Sequence, residues 1–324
     1  MNVLSVGSCL IDFFVSIEKS AHLEISDGKI TLPLGAKVPI SLKTLSLGGN
    51  SANVTSALHN LSIPTALYTY LGTDPLSKHI REKMKEKEIE LIVEDIETTT
   101  GSLSLIFDFP TDRIIFSHHN VAEHVFDETK IHTTPDLIFL SSIGKVWERA
   151  YEQVLAYAQK NNIPIALSPG SLQLKSMNDV FIQTISTAKI LLCNMEEAQR
   201  IHKALGGEEI KDPKKLLLSL KEKNFDILSI TDGENGAYAI GSANTVHHVD
   251  SPKPEGYEKT GAGDAYAGAF LAAHLHKKDI TDAMRWGIVN ALGEMKQPGA
   301  QTGQLMFSQI EHEVQNANLH VKQL

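Results

Sequence analysis

The segment from Asp136 to Leu192 limits the fold more than any other. Short apolar runs at 137–140, 163–167 and 188–192 alternate with helix-length stretches at 145–159 and 179–186. Strands separated by helices in this way build βαβ units and a parallel sheet, with ligands bound at the carboxyl ends of the strands. Apolar runs at 3–6, 64–71 and 227–230 read as further strands, with helices after Asn53 to about Asn60 and over 76–88, and 237–240 and 245–249 read as a strand pair. With 324 residues and 42% hydrophobic content, the chain can bury one sizeable α/β core with an appendage, or two modest ones.

The appendage is visible as a different pattern. Residues 20–47 alternate polar and apolar around Asp27-Gly28, Gly35 and Pro39, and 100–107 and 113–116 repeat that alternation. Short antiparallel strands off the main body are expected. The run Arg81 to Glu88 is dense in Lys and Glu and reads as a solvated helix face laced with i,i+4 pairs. His118, His119 and His124 with Glu123 match no common metal-ligand spacing, and no metal is expected there.

Charge and composition exclude several classes. A net charge of −9 and a pI near 5.9 do not suit a nucleic-acid binder, which needs a basic face. Cys9 and Cys193 lie in apolar runs and read as buried thiols of a reducing compartment. The first residues lack the basic region of a signal peptide, and no apolar run is long enough for a bilayer. A soluble cytoplasmic protein without a nucleic-acid or membrane partner is expected.

Two glycine-rich stretches carry the chemistry. Lys259-Thr260-Gly261-Ala262-Gly263-Asp264 leads into a small-residue helix, whose first N–H groups lack intrahelical partners and make an anion site. Asp264 in that turn can take a proton from a substrate hydroxyl while the helix N-terminus stabilises a phosphoryl group in transfer. Read alone, the same residues are a tight turn and an acid in a helix's first turn. The second stretch, Gly48-Gly49-Asn50-Ser51-Ala52-Asn53, also ends a strand and opens a small-residue helix.

Together the two stretches resemble the paired signatures of the ribokinase-like (PfkB) family of sugar and nucleoside kinases, G-G-N-x-x-N and D-T-x-G-A-G-D-x-F. Length and element order agree over essentially the whole chain. The resemblance implies one kinase domain over 1–324: a three-layer α/β/α sandwich around a mostly parallel sheet, with a β-lid from about 12–47 and 100–118. It further implies ATP-dependent phosphorylation of a hydroxymethyl group, with Asp264 as base and Gly261, Ala262 and Gly263 as anion hole. The sugar would be held by Asp12, Gly48, Gly49, Asn50 and Asn53. Asn194 and Glu197 match the family's N-x-x-E element for Mg²⁺ and phosphate, although Asn194 alone could be a plain helix N-cap. Thr231, Gly233 and Gly236 match its T-x-G-x-x-G element at the nucleotide phosphates, and Asn290 and Gly299 fall near the adenine. Gly72 and Asp74 match a supporting G-x-D.

The chain departs from the family at Glu258-Lys259-Thr260, where Asp-Thr is usual, so a potassium requirement is not carried over. It departs again at Ser168-Pro169-Gly170, where many members have an acidic or amide residue. A dinucleotide-dependent oxidoreductase is a poor alternative, since Tyr266 stands where a third glycine is needed. A nucleoside kinase, or a sugar or nucleotide sensor that has lost turnover, stays open. Exposed lid edges point to a homodimer.

Overall fold

A computed structural model of the chain describes residues 1–17, 24–26, 29–96, 101–109, 113–253 and 259–324; the turn expected at Asp27-Gly28, Thr100 of the lid and Glu258 lie outside them. In chain order, β1 (Val3–Val6) runs into β2 (Leu10–Ile17), β3 (Glu24–Ser26) and β4 (Lys29–Thr31) pair, and β5 (Ile40–Gly48) feeds α1 (Asn50–Asn60). Next come β6 (Thr65–Leu71), α2 (Pro75–Glu86), β7 (Glu90–Asp95), β8 (Leu103–Asp108) and β9 (Arg113–His118). The regular half holds β10 (Leu137–Leu140), α3 (Glu148–Asn161), β11 (Ile165–Leu167), α4 (Ser171–Ser176), α5 (Asp179–Thr187), β12 (Ile190–Asn194), α6 (Met195–Ala204), α7 (Pro213–Lys221) and β13 (Ile227–Thr231). The chain closes with β14 (Ala237–Ile240), β15 (Val246–Val249), α8 (Ala262–Leu275), α9 (Ile280–Glu294), α10 (Phe307–Ala317) and β16 (Val321–Gln323).

Among the described residues the central sheet has the order β16-β15-β14-β13-β12-β11-β10-β1-β6-β7. From β13 through β7 every pair is parallel, and β14, β15 and β16 extend the edge antiparallel. Because side chains alternate along a strand, Leu4, Val6, Ile138 and Leu140 pack toward α3, α5, α6 and α7. Their neighbours Val3, Leu137 and Phe139 pack toward α1, α8, α9 and α10. Both faces are thus apolar, as a parallel sheet covered on two sides requires. Start signals in the sequence set the helices: Asp74 caps α2 ahead of Pro75, and Asp212 caps α7 ahead of Pro213.

A separate four-stranded sheet, β5-β2-β8-β9, is the small lid sheet, but it is not wholly antiparallel as expected: β2 and β8 run parallel, and β3 and β4 pair apart from it. Its base is tied to the main body because β1 passes through Gly7 to Cys9 directly into β2, and Leu10 pairs with Gly48 at the end of β5. The small-residue helix α8 has the reason for its composition in its surroundings. A Cβ on Gly268 would lie 2.5 Å from Ala57 Cβ, so α8 can approach α1 only without one.

Three readings need adjustment. Helix α3 begins at Glu148 rather than 145, because Val146 forms a β-bridge with Glu123 and Trp147 is the N-cap. Strands β7 and β16 and helices α4 and α7 are additional, short elements on which the periodicity gives little purchase. The charged run of α2 is solvated only in part. Arg81 pairs with Asp95 and Lys83 with Glu86, but Lys87 turns inward and its Nζ donates to Ser56 Oγ at 3.1 Å and Gln301 Oε1 at 2.8 Å.

Candidate active site

The carboxyl ends of β12 and β13 and the N-termini of α1 and α8 surround a polar cavity of about 220 Å³. Its wall includes Asn50, Asn194, Glu197, Thr231, Gly261, Gly263 and Asp264, all singled out from the sequence. Ser168, Pro169 and Lys259, noted only as departures, line it too, as does Arg113 from the tip of the lid. Arg113 carried no motif, so nothing in the sequence pointed to it.

Asp264 occupies the first turn of α8. The N-cap Gly261 is left-handed at φ 83°, and a Cβ there would lie 2.8 Å from the Ala300 carbonyl oxygen. Glycine is therefore required twice over, by conformation and by space. Gly263 differs, since a Cβ on it would meet nothing within 4 Å. Its bareness keeps the approach to the helix N-terminus open, where the first N–H groups have no carbonyl four residues back.

The N-terminal stretch holds the carboxylate from across the fold. Asn50 Nδ2 donates to Asp264 Oδ1 at 3.1 Å, and Asn53 Nδ2 donates to Oδ2 at 2.8 Å. Asn50 is itself oriented by Ser142, whose Oγ donates to Asn50 Oδ1 at 2.8 Å. Burial pushes the Asp264 carboxyl up to about 6, and the bonds from Asn53 and Asn50 pull it back down in part. An acid poised near neutrality beside an anion-binding helix end is suited to accept a proton.

Asp12, in β2, is buried, with 4% of its surface exposed. Its carboxylate lies against Gly48, where any Cβ would come within 2.0 Å of Asp12 Oδ2. Gly49, at φ 97°, caps α1 where a Cβ would strike the Ser8 carbonyl. Asn194 and Glu197 form a reciprocal capping box: Glu197 N–H donates to Asn194 Oδ1 and Asn194 N–H to Glu197 Oε2, each at 2.9 Å. The N-cap reading of Asn194 is thus correct, and the pair still faces the cavity. Burial, with the charge of Asp264 adding, pushes Glu197 up to about 7. These hard oxygen donors are of the kind Mg²⁺ accepts, with water completing its shell.

Other expected residues lie off this wall. Gly233 and Gly236 shape the turn after β13, where a Cβ on Gly236 would collide with the Val249 carbonyl. Asn290 is fully buried and uses both ends of its amide, donating to Ala265 O at 2.8 Å and accepting from Leu305 N–H at 2.7 Å. It fixes the terminal loop to α8, and Gly299 (φ 127°) lies in that loop. Asp74 caps α2 through Leu76 N–H and Ser77 N–H, and Gly101 N–H bonds to it as well, so its role is to hold the lid base.

Compared with known proteins, the chain matches the pfkB family carbohydrate kinase profile over residues 2–304. It belongs to the PfkB family. The ribokinase of Staphylococcus aureus (strain COL) is 22% identical over 320 residues, covering 95% of this chain and 98% of its own. A putative Ribokinase II from E. coli shares the fold in its apo form, with a TM-score of 0.79 at 16% identity over 98% of this chain and 100% of that one. The same protein in complex with ATP and Mg²⁺ gives 0.78 at 17% identity, covering 97% and 99%. The Burkholderia thailandensis nucleoside kinase in complex with inosine gives 0.74 at 18% identity, covering 98% and 97%. The PfkB chain described here therefore has the ribokinase-like fold, with its two glycine-rich stretches brought together at Asp264.

Proposed function

We propose that this PfkB member transfers the γ-phosphoryl group of ATP to a hydroxymethyl group of a sugar or sugar-like acceptor, with Asp264 as general base. The observation that carries the reading is Asp264 itself: a carboxyl raised to about 6, in the first turn of α8, held by Asn50 and Asn53. The acceptor O–H gives its proton to Asp264, its oxygen bonds to the γ-phosphorus, and the bond to the leaving ADP oxygen breaks. N–H groups at Gly261 and Gly263 face the charge in transfer, the Ala262 N–H being held by the Lys259 carbonyl at 3.3 Å, so positioning and electrostatics supply the rate. Asp12, Gly48, Gly49, Asn50 and Asn53 hold the acceptor under the lid, with the Asp12 carboxylate accepting from a vicinal diol.

On the nucleotide side, Thr231, Gly233 and Gly236 approach the phosphates. We assign the adenine to a groove of about 670 Å³ walled by Lys253, Val289, Leu292 and Leu305, where Asn290 holds the Leu305 N–H and Gly299 lies in the loop between the lining residues Gln297 and Thr302. Asn194 and Glu197 would hold Mg²⁺, directly or through water, and the ion when bound supplies neutralisation of phosphate charge. The likeness to a fold solved with ATP and Mg²⁺ supports this assignment. Lys259, on the cavity wall, brings positive charge of its own, and the reaction is expected to run without potassium.

ADP formation measured with ATP over ribose, fructose, a sugar acid, a phosphorylated sugar and nucleosides tests the proposal. Turnover with a sugar that disappears in Asp264→Asn is expected. Turnover with nucleosides alone would replace the acceptor class, and tight binding without turnover of any of them would make the protein a sensor.

The lid also supports a homodimer. Leu45, Phe13, Leu105 and Phe116 form one cross-strand row over β5, β2, β8 and β9, with Phe116 58% exposed and Leu45 39%. An apolar row running from edge to edge of a small sheet is suited to cover by a second copy.

A further inference from the structure

Behind Asp264 and Asn53 lies a buried polar chain whose other members, Lys87 and Gln301, the proposed reaction does not use. Lys87 Nζ donates to Gln301 Oε1 at 2.8 Å, Gln301 Nε2 donates to Asn53 Oδ1 at 3.0 Å, and Asn53 Nδ2 donates to Asp264 Oδ2 at 2.8 Å. Every donor points the same way, from a cation to a carboxylate. Gln301 and Asn53 are 7% and 3% exposed, so water does not substitute for their partners.

The two ends of an amide are nearly alike in shape, and only its hydrogen-bond partners decide which faces where. Lys87 can only donate and an ionised Asp264 can only accept, so the two ends of the chain dictate both amides between them. Without the cation, Gln301 can turn its NH₂ outward, and the oxygen of Asn53 is then free to swing against Asp264. The bonds also polarise one another along the series.

Glu294 completes the arrangement as the counter-charge. It is fully buried at the end of α9, attracts Lys87, and accepts from Gly303 N–H at 3.1 Å. Gln301 and Gly303 belong to one loop, and that loop also presses Ala300 against Gly261. We propose that Lys87, backed by Glu294, is a positioning residue that sets the orientation of Asn53 and thereby of Asp264. This rests on the reading of Asp264 as the base.

The test uses Lys87→Met, Lys87→Arg, Gln301→Leu and the Lys87→Met/Gln301→Leu double variant of the full chain. The first readout needs no substrate: the side-chain NH₂ resonances of Asn53, assigned by their loss in Asn53→Ala. They are expected to move in Lys87→Met and Gln301→Leu and to return in Lys87→Arg. The second readout is kinetic, with the acceptor giving the highest turnover in the panel. A kcat loss of about tenfold or more with KM little changed is expected for either single variant, and no further loss in the double, because both break one series. Unmoved Asn53 resonances in a folded Gln301→Leu variant, or losses that multiply in the double, would overturn the proposal. Moved resonances with full activity in Asp264→Asn would leave the positioning intact and remove the base reading instead.

Discussion

Asn53 Nδ2 donates to Asp264 Oδ2 at 2.8 Å although the two residues are 211 positions apart. The bond joins the first turns of α1 and α8 and is charge-assisted when Asp264 is ionised. Losing such a bond costs about 1.5–3 kcal/mol. Asn53→Ala is accordingly expected to lower kcat/KM by roughly tenfold to a hundredfold, read by steady-state kinetics beside a melting curve.

Asp264→Asn should slow turnover by about 10²- to 10⁴-fold, the range for a general base, while calorimetry still detects ATP binding. Because the base must be ionised and its carboxyl lies at about 6, wild-type kcat/KM is expected to fall as pH drops below that value. A flat profile down to pH 5 would remove Asp264 from the rate-determining proton transfer.

Glycine at 261 and at 263 should separate stability from activity. Gly261→Ala places a Cβ in left-handed backbone and against Ala300, so melting temperature and activity should both drop, the conformation alone costing about 1–2 kcal/mol. Gly263→Ala has open space and should melt like wild type, yet lose activity because the methyl crowds the phosphate's approach.

Glu294 predicts a pH dependence of stability. Burial raises its carboxyl from 4.5 to about 7, so the folded state holds the proton more tightly than the unfolded state does. The contribution is full below pH 4.5 and is lost as pH rises through 7. Denaturant unfolding of wild type and Glu294→Gln should therefore give similar stabilities near pH 4.5, with the variant ahead by roughly 3 kcal/mol at pH 8.

Phe116→Glu should dissociate the proposed dimer. Light scattering is expected to give twice the 35.5 kDa chain mass for wild type and the single mass for the variant. A wild-type monomer at micromolar concentration would end the dimer proposal.

The alternation of apolar strands and helices was enough to give a parallel sheet, because both period and length are local properties of the chain. Gly48 to Asn53 and Gly261 to Asp264 were equally legible, since a glycine-rich turn opening a helix announces its unpaired N–H groups in sequence. Position along the chain does not announce which residues those turns will face. Arg113 looked like an ordinary strand residue, and Lys87 looked like one more member of a solvated charge run. Asn290 matched a nucleotide-side position, yet its amide is consumed within the fold by Ala265 and Leu305.

The sequence by itself determined the secondary elements that border the cavity and the place of Asp264 at the start of one of them, because propensity, capping and glycine spacing act over a few residues. Only the tertiary structure decided that Asn50 and Asn53 would grip that acid, that Lys87 would turn inward, and that Arg113 would reach the cavity. Those outcomes follow from how α1, α8, the lid and the terminal loop pack, and burial strengthens each bond according to partners contributed by remote parts of the chain.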